Sequence, residues 1–339
     1  MKKFADRLYI FLILFLTLML PVKSAVSSEA VKSGIEICFS VLIPSLFPFI
    51  FFSSLLSCYA GSVISALFSG LISPVFNISP AAASSVVLGT LGGFPTGAAV
   101  ASELYSEKKI TKSEAELLPV FSNNAGIMFV LFAVGEGVFK SVRTGAALYT
   151  VHLLSSLITG ILMRPGGKCT QKKEPVKKAL SSFSPGPIYR AFSKCIFSSV
   201  RSMAAICANF LVWRTVSFIL FSNAEGTLFA VGKGLLEMTG GLFSLGSAPS
   251  FPAAALILGF NGLCIHMQTA SVFFSSGLSP AKCILGKCIS AAVSFALALA
   301  VCDISTYFPV LFLLAAVLTG AVLLKKGFGS ATQSPFPVK

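Results

Sequence analysis

Residues 88–97 read Leu88-Gly89-Thr90-Leu91-Gly92-Gly93-Phe94-Pro95-Thr96-Gly97, in the middle of an apolar stretch that runs over about 81–104. Proline removes a backbone donor and glycine lets a helix unwind, so a helix here is expected to break near Gly93–Gly97. A second break, Leu258-Gly259-Phe260-Asn261-Gly262, divides the stretch 250–276 and is followed by His266 and Gln268. A helix broken inside an apolar protein points a half-helix N-terminus inward, and its unpaired N–H groups suit an anion. Gly89, Gly93 and Gly97, four residues apart, also suit a close helix contact. Their recurrence at corresponding places of the chain favours a binding role. Ile43-Pro44-Ser45-Leu46-Phe47-Pro48 is a third interruption and predicts a kinked or hairpin helix.

The surroundings of these breaks set the solvent. Of 339 residues, 55% are apolar and only 11% charged, against roughly 25% charged in a soluble domain. That excludes a soluble enzyme, a disordered chain and a fibrous repeat, and leaves a polytopic membrane protein. Apolar stretches run at about 8–22, 34–57, 60–76, 81–104, 115–138, 143–163, 192–221, 228–247, 250–276, 281–302 and 304–324. Spans in lipid are helical, because unsatisfied backbone groups are too costly there. The fold class is therefore all-α: a transmembrane helical bundle in contact with the lipid bilayer. Segment 1–30 is expected to be a retained signal-anchor helix with its N-terminus in the cytoplasm. A cleaved signal peptide is the alternative, although Lys23 before Ser24-Ala25 makes a poor cleavage site.

One long polar segment, 164–191, carries Arg164, Lys168, Lys172, Lys173, Lys177, Lys178 and Arg190 against the single acid Glu174. By the positive-inside rule it is a cytoplasmic linker. The basic excess of 26 Lys and Arg over 12 Asp and Glu is thus a topology signal, and no nucleic-acid partner is expected. The nine cysteines are scattered without a CxxC pair or a Cys/His cluster, so no metal and no disulfide framework is expected. Nor is any cofactor.

The linker separates two regions, 31–163 and 192–325, with a tail at 326–339. Val31-Lys32-Ser33 with Ile37-Cys38 matches Val200-Arg201-Ser202 with Ile206-Cys207 at a shift of 169, as do Leu42, Phe49 and Ile50 with Leu211, Phe218 and Ile219. Leu88-Gly89 and Gly92 meet Leu258-Gly259 and Gly262 at a shift of 170. The next helix opens with a cap in both regions, a capping box at Thr111-Lys112-Ser113-Glu114 and Ser279-Pro280. This pattern predicts an internal duplication. Five spans per copy would set the two copies inverted, the architecture of secondary transporters. Eleven spans would leave Lys325 and Lys326 outside, which one re-entrant segment would repair.

Ionisable groups inside apolar stretches cost about 2.5–3.5 kcal/mol each at a helix centre. They are Glu36, Glu103, Glu136, Glu237, Asp303, His152, His266, Arg201 and Arg214. Glu36, Glu136 and Asp303 lie near expected helix ends, where an interfacial charge is ordinary. Glu237, in Gly234-Leu235-Leu236-Glu237-Met238-Thr239-Gly240-Gly241, lies deeper. Asn123 and Asn124 offer amide donors and acceptors. Both histidines fall within spans, as packing residues or as proton carriers. HExxH, GxSxG and Walker A patterns are missing, which argues against an enzyme.

Taken together, several motifs resemble the sporulation integral membrane protein family YlbJ, within the wider nucleoside-recognition (Gate) domain group. They are Val41-Leu42-Ile43-Pro44-Ser45-Leu46-Phe47-Pro48-Phe49, Gly93-Phe94-Pro95-Thr96-Gly97-Ala98, Ser122-Asn123-Asn124-Ala125-Gly126, Gly234 to Gly241, and Gly262-Leu263-Cys264-Ile265-His266-Met267-Gln268. His152 also resembles a family position, whereas Ile127 stands where proline would follow. The resemblance covers nearly all of 30–325. It implies a multipass permease in the membrane of endospore-forming bacteria, moving dipicolinic acid across the outer forespore membrane during sporulation. Alternatives are a nucleoside-like solute transporter or a non-transporting assembly protein of the sporulation programme; a homo-oligomer fits any of these. The expected partner is a small organic anion. Its expected site comprises Gly93, Pro95, Thr96, Gly97, Asn123, Asn124, Glu237, Thr239, Gly262, His266 and Gln268, with Arg201 and Arg214 supplying charge. Glu237, His152 and His266 are the coupling candidates.

Overall fold

A computed structural model describes residues 2–166, 188–221 and 224–302. Among the described residues all regular structure is helical. The chain opens with α1 (Lys2–Val22) and α2 (Ser24–Ile37), passes through a π-helical turn at Cys38–Leu42 and continues as α3 (Ile43–Phe76). The prolines at 44 and 48 therefore do not reverse the chain. The wider π turn absorbs the missing donors, and the Ser45 hydroxyl donates to the Val41 carbonyl at 2.6 Å. Stretches 34–57 and 60–76 are one helix. From Ser24 to Phe76 it runs 53 residues, roughly 80 Å at 1.5 Å per residue, well beyond a bilayer core of about 30 Å.

The stretch 81–104 does reverse. A short 3₁₀ turn (Pro80–Ala82) leads into α4 (Ala83–Gly92), and α5 (Thr96–Ser106) follows. A Cβ on Gly89 would lie 2.7 Å from the Gly97 Cα, whereas residues eight apart in one helix are separated by about 12 Å. The Ser85 hydroxyl donates to the Gly97 carbonyl at 3.0 Å across the same gap. Helices α4 and α5 are the arms of a hairpin with its tip at Gly93-Phe94-Pro95, where the Phe94–Pro95 peptide is cis. The chain then enters α6 (Lys112–Leu117) through the expected capping box of Thr111 and Glu114. After α7 (Pro119–Ser122) it unwinds over 123–126 and resumes helically, with a π-helical run at Phe129–Glu136. Helix α8 (Val142–Met163) follows.

Beyond the linker, α9 (Ile188–Phe221) precedes a second hairpin. Its arms are α10 (Thr227–Leu236) and α11 (Met238–Phe243), and a Cβ on Gly241 would strike the Gly234 backbone. Stretch 228–247 is therefore a hairpin and not a span. Stretch 250–276 is a helix interrupted once, by Asn261 (φ 71°) and Gly262 (φ 76°) where α12 (Phe251–Phe260) meets α13 (Gly262–Phe274). Helix α14 (Ala281–Cys302) is uninterrupted. The order long helix, hairpin, interrupted helix, long helix thus occurs on both sides of the linker. Its register departs from the shift of 169–170: Gly92 lies in a hairpin arm and Gly262 in an interrupted helix.

Among the described residues five helical stretches are long and apolar enough to cross a membrane: Ser24–Phe76, Val142–Met163, Tyr189–Phe221, Phe251–Phe274 and Ala281–Cys302. The hairpins enter from opposite ends of the bundle. At one end Ser79 N–H donates to Glu114 (2.6 Å), Ser279 N–H donates to Glu116 (3.1 Å), and Lys194 pairs with Glu103 at 3.6 Å. At the other, Lys23 donates to the Ile219 carbonyl at 2.7 Å and Phe139 packs against Phe251. Most of the 164–191 linker (167–187), Asp303, the stretch 304–324, Lys325, Lys326 and the tail 326–339 lie outside the described residues.

Candidate solute site at the hairpin tips

Each hairpin tip rests on a helix interruption. A Cβ on Gly93, at φ +69°, would lie only 3.1 Å from the Gly126 backbone, so the first tip lies on the unwound segment 123–126. Gly262, at φ +76°, would bring a Cβ 2.9 Å from the Gly234 carbonyl oxygen and 3.0 Å from the Met238 nitrogen. Glycine is the residue for both places, because both need positive φ and backbone approach. The interruptions are tied together in turn. Asn123 donates to the Thr269 hydroxyl at 3.0 Å, and Asn261 donates to the Asn123 carbonyl at 3.4 Å.

A cavity of about 30 Å³ sits where these pieces meet, with Phe94, Gly126, Glu237, Thr239, Cys264 and Gln268 among its walls. That is room for about one or two water molecules. Glu237 is buried and caps α11, accepting from the N–H groups of Thr239 (2.6 Å) and Gly240 (2.5 Å). A carboxylate is favoured at a helix N-terminus, so this one already holds its anion. Arg214 approaches from α9: its Nη1 would lie 3.4 Å from a Cβ on Gly240. Its guanidinium also donates to the Ser33 hydroxyl at 3.1 Å and stacks over the Phe218 ring at 4.8 Å. Several buried polar atoms around the tips have no partner: Thr96 Oγ1, Asn123 Oδ1, Asn261 Oδ1, His266 Nε2 and Gln268 Oε1. Buried polar atoms are almost always paired, by protein, water or ligand.

The expected site residues thus divide. Glu237, Thr239 and Gln268 line the cavity, and Gly93, Pro95, Thr96, Gly97 and Gly262 form the tips and seams around it. Asn123 links the two interruptions. Asn124 turns away to a second cluster, where its Oδ1 accepts from the Ser156 hydroxyl (2.8 Å) and from Lys287 Nζ (3.0 Å). His266 packs edge-on against Phe260, with ring centroids 4.9 Å apart. His152 Nε2 accepts the Ala125 N–H at 3.1 Å and so holds the unwound segment. Arg201 is exposed and does not line the cavity, so it supplies no charge here. Glu36 and Glu136 are exposed; Glu136 closes its helical run as expected, whereas Glu36 lies inside the continuous helix Ser24–Phe76 and not at a helix end. Lys287 is a residue that the sequence reading passes over, although it stands inside the apolar run 281–302; that isolation is the signal that could have found it.

No family model matches the chain, and no solved structure matches it. It is similar to the sporulation integral membrane protein YlbJ of Bacillus subtilis (strain 168), with 25% identity over 287 residues, covering 73% of this chain and 70% of that protein.

Proposed function

We propose that the chain is a multipass permease of sporulation that moves a small organic anion, dipicolinic acid, across the outer forespore membrane. The observation that carries this is the meeting of two hairpin tips and two helix interruptions at one buried, partly polar cavity. Irregular backbone at depth in a membrane protein is tolerated where it is buried in protein or lines a cavity, and discontinuous helices of this kind form the solute sites of secondary transporters. Hairpins entering from opposite ends give each side of the membrane its own gate onto that point. The similarity to a sporulation protein supplies the cellular setting. Glu237 serves as the proton or cation partner in this scheme, since a bare carboxylate facing the cavity repels an anionic cargo. Unpartnered Gln268 Oε1, on the cavity wall, gives the carboxyl-bearing solute, or its water, a polar contact.

The test is flux of dipicolinate and uridine into vesicles holding the full chain. Dipicolinate uptake is expected, with Glu237→Gln and His266→Ala slowing it about tenfold, the scale of one charge-assisted contact. No flux of either solute overturns the permease reading. Spores formed without the gene are expected to hold less dipicolinate than spores formed with it.

A further inference from the structure

Three described acids are buried, Glu114, Glu116 and Glu237, and among the described Lys and Arg residues Arg214 and Lys287 are. Glu114 and Glu116 lie on α6, at the end of the bundle where Ser279 and Lys282 arrive, and do not line the cavity. There Glu114 accepts from Ser79 and Thr111 N–H, and Glu116 accepts from Ser279 N–H and meets Lys282 at 3.4 Å. Around the helix interruptions this leaves Arg214 and Lys287 against the one carboxylate of Glu237. Arg214 and that carboxylate approach the same point, a Cβ position on Gly240, without closing to an ion pair within 4.0 Å. Lys287 is 1% exposed and among the described residues has no carboxylate within 4.0 Å.

The surroundings of Lys287 are neutral. Its Nζ donates to Asn124 Oδ1 at 3.0 Å, and an ammonium has three N–H donors, so two remain. Asn124 also takes the Ser156 hydroxyl, and the neighbouring Ala125 N–H is held by His152. Two residues further, Gly126 is a wall of the cavity, which Asn124 and Lys287 themselves do not line. A buried charge with only neutral partners is costly in an apolar medium and attracts an ion of opposite sign. Lysine carries its charge as a compact point and needs no fixed planar partner.

We propose that Lys287 is the charge that selects an anion: it acts through the Asn124–Gly126 segment as the counter-ion of the bound solute and sets the preference for a carboxylate over an uncharged molecule of the same shape. This rests on the permease reading for its solute and deepens it by assigning the residue that sets charge preference.

The experiment uses purified full-length protein in nanodiscs, with thermal unfolding read against rising pyridine-2,6-dicarboxylate or its uncharged diamide. The wild type is stabilised by the dicarboxylate and not by the diamide. Lys287→Arg keeps that response, and Lys287→Met needs about tenfold more dicarboxylate, the worth of one charge-assisted contact. Methionine replaces a buried, unpaired charge with an apolar chain of similar length, so this variant folds. A purely structural lysine would shift the unfolding temperature of the empty protein and leave the dicarboxylate response unchanged, which overturns the proposal. Equal stabilisation of the wild type by the diamide, or no stabilisation by either compound, also overturns it. Dicarboxylate binding that depends on Lys287 without any flux sinks the permease reading and leaves this assignment standing; dipicolinate flux unchanged in Lys287→Met does the reverse.

Discussion

A Cβ placed on Gly97 would lie 2.5 Å from the Ser122 carbonyl oxygen and 2.6 Å from its carbon. The obstacle is backbone at the edge of the unwound segment, which a side-chain rotation cannot relieve. Gly97→Ala is therefore expected to cost about 1–3 kcal/mol, the range for overpacking a tight contact. It should also push the first hairpin away from Ser122, so that flux falls along with the unfolding temperature. Gly61 is the contrasting residue: the nearest atom to a Cβ placed there is the Ser57 hydroxyl at 4.0 Å. Gly61→Ala should leave both measurements unchanged or raise stability slightly, because alanine favours the helix. Equal losses in the two variants would mean that the glycines matter for helix propensity and not for docking.

Among the elements, the interrupted helices and the hairpins differ in how far the sequence announces them. Thr111 and Glu114 spell out their cap, and the Thr111 hydroxyl receives the Glu114 N–H at 3.3 Å as that spelling requires. Thr111→Ala is expected to cost about 1 kcal/mol of stability, with flux unaffected because the cap lies at the bundle's end. Asn261 is a second local device: its φ of 71° lies in the left-handed region, where asparagine is tolerated and alanine is not. Asn261→Ala should destabilise more than Asn261→Gly, and both lose the donor to the Asn123 carbonyl. Whether a glycine-rich break becomes a hairpin or a mere interruption is not local. The run Leu88 to Gly97 and the run Leu258 to Gly262 look alike, yet the first reverses because Gly89 and Gly97 can both press against Ser122. The second has the adjacent pair Asn261 and Gly262 at positive φ and continues. The second hairpin escapes a sequence reading for the same reason. Its tip is Glu237, a residue with no turn signature, and the turn is closed by that side chain capping α11 together with the close approach of Gly241 to Gly234.

At the scale of the whole molecule, the hairpins change which loops share a side of the membrane. With 228–247 as a crossing, residues near 248 and 279 would fall opposite to where the hairpin puts them. In the structure the chain leaves the second hairpin at the end it entered, so Gly246 lies with Lys140 and Glu225. Helices α12 and α13 then carry the chain across, and Ser279 and Lys282 arrive beside Ser113 and Glu116. Lys282 thereby joins Lys108, Lys109, Lys112 and Arg164 at the end where the basic linker begins. The charge asymmetry of the bundle consequently sharpens, in the sense that the positive-inside rule demands. In a cysteine-free background, Lys108→Cys and Lys282→Cys should be blocked by a membrane-impermeant maleimide in inside-out vesicles and protected in right-side-out ones. Lys140→Cys and Ser247→Cys should show the opposite pattern. If Ser247→Cys labels with Lys108→Cys, then 228–247 crosses the membrane after all. The two tips would then no longer reach one cavity from opposite ends, and the alternating gate built on them would lose its second half.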